Sequence, residues 1–381
     1  MSSQPPGESA AAGPETSAFF ETQASAEAAM TYFYGRLFAS DPEVRAMFPA
    51  TMAAQRHRLY AVLRRIAAGM REDDPGLEGY LAQLGRGHRK YGVRTEHYGP
   101  FREALEATFR RYPPDAGWWK ESDWAAALSR SMEIMIKAAD ADQGPAWWIA
   151  EVVANELRTP HVTVLTLRPA EPYPYLPGQH AVVQTPRWPR VWRRYSIADA
   201  PRDGGETITL HVRVVPGGLV STSLLHAGPG DTVLLGPAEG TMTADTESPR
   251  DALCLAGGTG LSPLKAIAEA LLARPRPDGA DRKVALYFGA RTEADLYDLP
   301  ALRAMERDSP ALEVHVATSE EHCDNALHGT IANLAAGARW TGRDVYISGP
   351  DAMIIRTAKR LRDRGLPPER LHYDLSPEAL L

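Results

Sequence analysis

Three short stretches of the chain carry residue types and spacings that could do chemistry. The first is Trp192-Arg193-Arg194-Tyr195-Ser196-Ile197, which reads as a strand ending in an aromatic and a hydroxyl. Side chains alternate along a strand, so Arg193 and Tyr195 share a pleat face, where a flat ring can stack on the tyrosine while the guanidinium meets phosphate. Any barrel strand can carry Arg, Tyr and Ser as surface and core residues, so the weight of this match depends on its neighbours. The second stretch is Gly257-Gly258-Thr259-Gly260-Leu261-Ser262-Pro263, which follows a strand over Ala252 to Leu255 and precedes a helix predicted to begin near Leu264. A glycine-rich turn of this kind lets backbone approach a dinucleotide pyrophosphate at the positive end of the helix. The third is a single residue, His88, which continues the apolar helical face of Leu77, Leu81 and Leu84. A lone histidine on such a face is more often a satisfied core residue than a ligand, so periodicity alone keeps the core reading ahead.

The elements that must position these residues fall into segments with different hydrophobic periods. With 381 residues the chain is long enough for two or three domains. From 19 to 142 the period is helical: Met30, Phe33, Tyr34, Leu37 and Phe38 form one stripe, Leu59, Val62, Leu63 and Ile66 a second, and Leu128, Met132, Met135 and Ile136 a later one. This is an all-α domain of globin size. Gly144-Pro145 ends it, and 147–248 alternates in short runs (Val162, Val164 and Leu165; Ile208, Leu210, Val212 and Val214; Val233 and Leu235) separated by Pro, Gly and Asp turns. A small antiparallel β-barrel accounts for that pattern. From 249 to 381, buried strands at 252–255, 283–288, 313–317 and 344–348 alternate with helices, the mark of an α/β domain with a parallel sheet.

Composition excludes several function classes. The net charge of -6 argues against nucleic acid or an anionic membrane as a general partner, and 44% apolar residues suffice for sizeable cores. Cys254 and Cys323 are too few for a disulfide framework and lack zinc-ligand spacing, so both read as buried apolar fillers in a reducing cytoplasm. Residues 1–18 have the Ser, Ala, Gly, Pro and Glu content of a disordered tail, without the basic start and apolar run of a signal peptide. No stretch is long and apolar enough to span a bilayer. A cytoplasmic monomer is expected, with small-molecule partners.

Four segments in the helical part come in one order at close spacing: Tyr-Phe-Tyr-Gly-Arg-Leu-Phe at 32–38, Pro-Glu-Val-Arg-Ala-Met-Phe at 42–48, Gln-Arg-His-Arg-Leu at 55–59 and Gly-His-Arg-Lys-Tyr-Gly-Val at 87–93. Together they resemble the haem domain of the flavohaemoglobin family. The resemblance implies that His88 is the proximal ligand of a haem b iron, that Phe48 packs on the haem, and that Tyr34, Gln55 and Leu59 line the distal side. A neutral imidazole would leave the sixth iron position open for a diatomic gas. Gln55 and Leu59 are one helical turn apart and share a face, while His57 should point away from it as a surface residue. Family members commonly harden the proximal histidine with a tyrosine and a glutamate. Tyr98 matches the tyrosine; Ala139 stands at the glutamate's place, with Asp140 beside it.

The rest of the chain continues the resemblance through the ferredoxin reductase family. Arg193-x-Tyr195-Ser196 is similar to that family's FAD signature, and Tyr175-Leu176-Pro177-Gly178-Gln179 to its first flavin motif, with His180 where an aromatic is common. Pro216-Gly217-Gly218-Leu219-Val220-Ser221 reads either as a hairpin turn or as a helix start offering free N–H groups to phosphate; its place after Tyr195 tips it toward the FAD pyrophosphate, with Gly218 and Ser221 as contacts. Gly257, Gly258, Gly260 and Pro263 follow the family's Gly-Gly-x-Gly-x-x-Pro, and Ser348-Gly349-Pro350-Asp351-Ala352-Met353 its closing Cys-Gly-Pro-x-x-Met, serine replacing cysteine. Gly349, Pro350 and Met353 are implied nucleotide contacts. His372-Tyr373-Asp374 matches a His-Tyr-Glu ending whose acid, here Asp374, lies between haem and flavin; Ser376 stands where a flavin-stacking phenylalanine usually follows. Ser319-Glu320-Glu321 offers carboxylates where a 2′-phosphate would need Arg or Lys, which favours NADH over NADPH.

Nicotinamide delivers two electrons together whereas ferric haem accepts one, so a flavin must stand between them. The function the resemblance implies is a nitric oxide dioxygenase that passes electrons from NAD(P)H through FAD to haem and converts nitric oxide and oxygen to nitrate. Two other readings stay open: a diverged flavohaem reductase with another acceptor, motivated by Ala139, Ser348 and Ser376, and an oxygen or redox sensor.

Overall fold

The computed structural model describes residues 22–71, 73–114, 121–202 and 206–375. The chain divides into two compact units, 1–143 and 144–381.

The first unit contains five α-helices among its described residues: α1 (Gln23–Ser40), α2 (Ala53–Arg71), α3 (Gly76–His88), α4 (Tyr98–Arg111) and α5 (Glu121–Ala141). α1 starts where Thr22 accepts the Ser25 N–H at 3.1 Å and Ser25 returns the favour at the Thr22 N–H, a reciprocal cap that satisfies two otherwise orphaned donors. The predicted stripes meet in one core: Phe33 and Leu37 from α1, Leu63 from α2, Leu81 from α3, Leu105 from α4 and Leu128 from α5 are all essentially sealed from solvent. α3 lies along α5, and α1 along α4. α3 gives way to a short 3₁₀ turn (Arg89–Tyr91), and Gly92, with φ of 80°, stops it in the left-handed region that glycine enters without strain.

The second unit begins with six strands: β1 (Trp148–Thr159), β2 (Val162–Pro169), β3 (His180–Gln184), β4 (Arg193–Ser196), β5 (Ile208–Arg213) and β6 (Thr232–Glu239), with the short helix α6 (Leu219–Leu225) between the last two. All pair antiparallel in the order β4-β3-β6-β1-β2-β5. The two edges then meet, because Ile197 bridges Leu210 and the Ala198 N–H donates to the Thr209 carbonyl at 2.8 Å. Closure turns the sheet into a barrel and removes its open edges. Val152, Leu165, Leu210, Val212 and Leu235 fill the interior.

A parallel sheet follows: β7 (Asp251–Gly257), β8 (Val284–Ala290), β9 (Leu312–Thr318), β10 (Leu327–His328), β11 (Arg343–Ser348) and β12 (Leu371–His372), in the order β10-β9-β8-β7-β11-β12. Its helices are α7 (Leu261–Leu272), α8 (Leu299–Asp308), α9 (Ile331–Leu334) and α10 (Asp351–Arg362). Strand alternation sorts them onto the two faces. Cys254, Leu286 and Tyr346 pack with Leu264, Ile267 and Leu302 of α7 and α8, whereas Leu253, Leu255 and Ile347 pack with Ile331, Ile354 and Leu361 of α9 and α10. The link from the barrel into this sheet is stapled by the buried Arg282, which donates to the carbonyls of Asp245, Thr246 and Ser248.

Two sequence expectations need correction. α7 begins at Leu261, not near Leu264, so Pro263 sits inside the first turn, where its missing N–H costs nothing. Cys254 is a buried filler as read, but Cys323 is only half-buried, its thiol 3.7 Å from the Thr318 hydroxyl and 3.6 Å from the Glu321 carboxylate. Among the described residues no helix is long and apolar enough to cross a membrane.

Candidate functional site

In the helical unit, His88 is the last residue of α3 and is half-buried. Its apolar surroundings first, and the Lys90 charge second, lower its pKa to about 4, so the ring is neutral at pH 7. No described residue hydrogen-bonds that ring, which leaves an imidazole in the form that binds iron. Tyr98 opens α4, and its hydroxyl is buried with no hydrogen-bond partner among the described residues. Burial, and then the field of Asp140, push that phenol up to about 12. Asp140, rather than Ala139, is therefore the carboxylate felt at Tyr98. A neutral imidazole and a buried phenol, neither with a hydrogen-bond partner among the described residues, make a donor set that fits a haem.

Tyr34, Phe48 and Gln55, expected on the distal side, come together. The Tyr34 ring packs edge-on against Phe48 with centroids 5.5 Å apart, and its hydroxyl donates to the Gln55 carbonyl at 3.4 Å. Burial raises the Tyr34 pKa far above its ordinary value, so the phenol remains a neutral donor. Leu59 is buried one turn beyond the half-buried Gln55, and His57 is exposed. Arg45, which the sequence did not single out, fixes this corner: its guanidinium donates to the carbonyls of Phe48, Pro49 and Ala50 and lies over the Phe38 ring. A basic residue three positions before the aromatic was the available signal.

In the barrel, Tyr195 on β4 pairs with Ala181 on β3 and is half-buried, while Arg193 is exposed and donates to the Trp192 carbonyl at 2.9 Å. The Tyr175 hydroxyl donates to the Asp199 carbonyl at 3.1 Å. Gly178 (φ 104°) cannot carry a side chain, since a Cβ there would lie 2.2 Å from the Met242 carbonyl oxygen. Ser221 accepts the Val215 N–H at 3.2 Å and faces Gly218, so its hydroxyl is used within the turn, while Gly218 opens α6 with no side-chain cap. The Asp374 carboxylate accepts from the Thr241 N–H (3.0 Å), the Thr241 hydroxyl (2.6 Å) and the Met242 N–H (3.2 Å), tethering the C-terminal segment to the loop after β6. Tyr373 packs with Leu253 and Ile354 in the nucleotide domain. Ser376 lies outside the described residues. His180, given no role from sequence, is half-buried with its ring 3.8 Å from Glu239, which Arg194 also approaches at 3.4 Å.

Strand order reverses between β7 and β11, and at such a switch point a crevice opens beyond the strand ends. Both motifs lie there and press together. A Cβ on Gly257 would lie 2.4 Å from the Met353 sulfur, one on Gly260 2.3 Å from the Ser348 carbonyl oxygen, and one on Gly349 2.8 Å from the Met353 methyl. Gly258 (φ 54°) and Gly349 (φ 156°) adopt backbone conformations that favour glycine, and Pro350 leads into α10. The Ser262 hydroxyl donates to the Ser196 carbonyl at 2.8 Å, tying this turn directly to the end of β4. Beyond β9, the Glu321 carboxylate is engaged by the Glu293 N–H, whereas Glu320 is exposed and donates its N–H to Arg291 at 2.9 Å.

Three family models match the chain in series: Globin over 31–132, Oxidoreductase FAD-binding domain over 151–243 and Oxidoreductase NAD-binding domain over 254–359. The flavohemoprotein of Bordetella pertussis is 28% identical over 379 residues, covering 92% of this chain and 93% of that one. The ferredoxin--NAD(P)(+) reductase component of the naphthalene 1,2-dioxygenase system of Pseudomonas putida is 30% identical over 230 residues, 58% of this chain and 67% of its own length. The crystal structure of a flavohemoglobin from Malassezia yamatoensis with bound FAD and heme has the same fold, with a TM-score of 0.73 at 18% identity over 92% of this chain and 95% of that one.

Proposed function

This chain belongs to the flavohaemoglobin family, a globin followed by FAD- and NAD-binding oxidoreductase domains, and from that premise we propose that it is an NAD(P)H-dependent nitric oxide dioxygenase. The observation that carries the reading is the presence, in one chain, of the unengaged neutral imidazole of His88 and the glycine-lined crevice at Gly257–Gly260. When bound, the flavin divides the two electrons of a hydride into single steps and the haem provides a gas-binding iron.

The residues of this chain divide the remaining work. His88 supplies the neutral nitrogen that holds the iron, and Tyr98, within the field of Asp140, is placed to tune it. Tyr34 holds its proton because it is buried, so its hydroxyl can leave the long bond to Gln55 and donate to an oxygen atom gaining negative charge. Phe48 and Leu59 exclude water from that side. Tyr195 and Tyr175 offer aromatic surface to the flavin, Arg193 a charge to its phosphates, and the N-terminus of α7 its N–H groups to the nucleotide pyrophosphate. NADH is the preferred donor in this reading, because exposed Glu320 would repel a 2′-phosphate.

Each nitric oxide converted to nitrate consumes one oxygen molecule and one electron, so one NADH serves two nitric oxides. Purified protein loaded with haem and FAD should, in aerated buffer, consume NADH faster when nitric oxide is added and form two nitrates per NADH. A rate indifferent to nitric oxide, with no nitrate formed, contradicts the proposal. Ala139 and Ser348 favour a second reading, in which the same electron path ends on a different acceptor. It predicts slow NADH oxidation accelerated by a quinone or a ferric compound and not by nitric oxide.

A further inference from the structure

A cluster of polar side chains lies buried where the barrel meets the nucleotide-binding sheet, and none of its members belongs to a motif described above. His211 on β5 has no exposed side-chain surface; its Nδ1 is 2.7 Å from the Tyr297 hydroxyl and its Nε2 is 3.9 Å from Asp298 Oδ2. The Asp298 side chain is 1% exposed and accepts from Lys265 Nζ of α7 at 3.1 Å. The Tyr297 ring stands edge-on to both His211 and Phe288.

Asp298 occupies the N-cap position of α8, where an aspartate ordinarily accepts N–H groups of its own helix and stabilises it by about 1 kcal/mol. Here it makes no such bond and turns inward to Lys265 and His211. Burying a carboxylate costs several kcal/mol unless it is paired and hydrogen-bonded, so this arrangement is maintained against a local preference. One assignment leaves no net charge: Lys265 and Asp298 form an ion pair, the neutral imidazole accepts the Tyr297 proton at Nδ1, and its Nε2–H faces Asp298 at 3.9 Å, without a hydrogen-bond partner among the described residues.

The position of the cluster gives it a purpose. β5 leads within a few residues into the Val215–Gly218 turn on the flavin side. Lys265 sits in the second turn of α7, directly behind Gly257–Gly260. Two residues along β5 from His211, the Arg213 guanidinium comes within 3.9 Å of a Cβ built on Gly258. The four residues therefore span from the strand that feeds one cofactor-binding turn to the helix that carries the other.

We propose that His211, Tyr297, Asp298 and Lys265 form a buried strut that sets the register between the flavin-side strand β5 and the nucleotide-side helix α7, making them positioning residues for hydride transfer. This rests on the NAD(P)H-to-FAD reading above. Hydride transfer needs donor and acceptor atoms at contact distance, and a misplacement of about 1 Å can cost on the order of 100-fold in rate. A strut that keeps register acts on the limiting rate and leaves cofactor affinity largely alone.

The test is rapid mixing of the full FAD-loaded chain with NADH and with its 4-deuterated form under anaerobic conditions, following flavin bleaching. The wild-type chain reports first: if its flavin is not reduced by NADH, the underlying reading fails, whatever the variants do. With wild type active, Tyr297→Phe and His211→Gln should bind FAD stoichiometrically, slow the limiting bleaching rate by about tenfold or more, enlarge the deuterium isotope effect and change the NADH dissociation constant less than about threefold. Lys265→Met should do the same, with Lys265→Arg restoring much of the rate. Limiting rates within about twofold of wild type in FAD-loaded variants, or losses explained wholly by lost FAD, would overturn the strut. Should His211→Gln fail to fold, Tyr297→Phe, which removes a single oxygen atom, decides the question.

Discussion

Gly85 and Met135 touch backbone to backbone: a Cβ built on Gly85 would lie 2.2 Å from the Met135 carbonyl oxygen and 2.6 Å from its Cα. The contact brings α3, which ends three residues later at His88, against α5, which carries Asp140 five residues beyond Met135. The closeness of the helix carrying His88 to the helix carrying Asp140 thus depends on one missing methyl group.

Gly85→Ala should therefore loosen the globin unit. Overpacking against backbone that cannot rotate away costs about 1–3 kcal/mol, more than the gain in helix propensity from replacing glycine. Thermal unfolding of the variant should show a lower midpoint for the haem signal and a reduced haem-to-FAD ratio, with flavin content unchanged. Equal haem content and an unchanged midpoint would show that the helices can separate freely.

Gly260→Ala is expected to act at the other end of the electron path. Its methyl would meet the Ser348 carbonyl at 2.3 Å and push β11 away from the turn after β7. FAD should still bind, whereas the dissociation constant for NADH should rise by about tenfold or more, equivalent to about 1.4 kcal/mol. Titration of the variant with NADH under anaerobic conditions reads both quantities.

Tyr98→Phe separates a cofactor role from a structural one. The phenol oxygen is buried without a partner among the described residues, so its removal should leave the haem-free protein as stable as wild type, within about 1 kcal/mol, or slightly more stable. In the haem-loaded protein the same change should shift the ferric absorption spectrum and slow nitrate formation. A large loss of stability in the haem-free form would mean the hydroxyl serves the fold instead.

His211 predicts an acid-sensitive reductase unit. Burial lowers its pKa from 6.5 to about 4, so between those values the unfolded chain binds a proton that the folded chain refuses. The resulting contribution, at most about 3 kcal/mol, is complete above pH 6.5 and is lost as pH falls toward 4. Denaturant unfolding followed by flavin fluorescence should show stability rising with pH across this window, and the rise should be shallower in His211→Gln. Identical slopes in the two proteins would place the acid sensitivity elsewhere.

Much of the fold was legible because it rests on repetition. The stripe Leu59, Val62, Leu63, Ile66 can only be a helix face, and Ile208, Leu210, Val212 can only be a half-buried strand. The glycines at 257, 258 and 260 were legible because close approach of backbone leaves no alternative residue. What could not be read depends on pairs distant in sequence. Barrel closure rests on Ile197 meeting Leu210, and neither residue advertises it. His211, Lys265 and Asp298 each look ordinary alone, as a strand residue, a helix lysine and a helix cap, and become a cluster only when two domains fold against each other. Gly85 reads as any helical glycine until α5 is placed beside it. The engaged carboxylate of Asp374 likewise has partners, Thr241 and Met242, that no local pattern specifies.

The central claim is that electrons from a reduced nicotinamide reach iron held by His88 through a flavin bound in the same chain. Its most direct test is anaerobic addition of NADH to the purified protein carrying ferric haem and oxidised FAD, recorded from the flavin band to the Soret band. The account predicts flavin bleaching followed by conversion of the Soret band to its ferrous form, with both changes slowed in Gly260→Ala at NADH concentrations that just saturate wild type, and the second change absent in His88→Ala. Flavin that bleaches while wild-type haem stays ferric would contradict it.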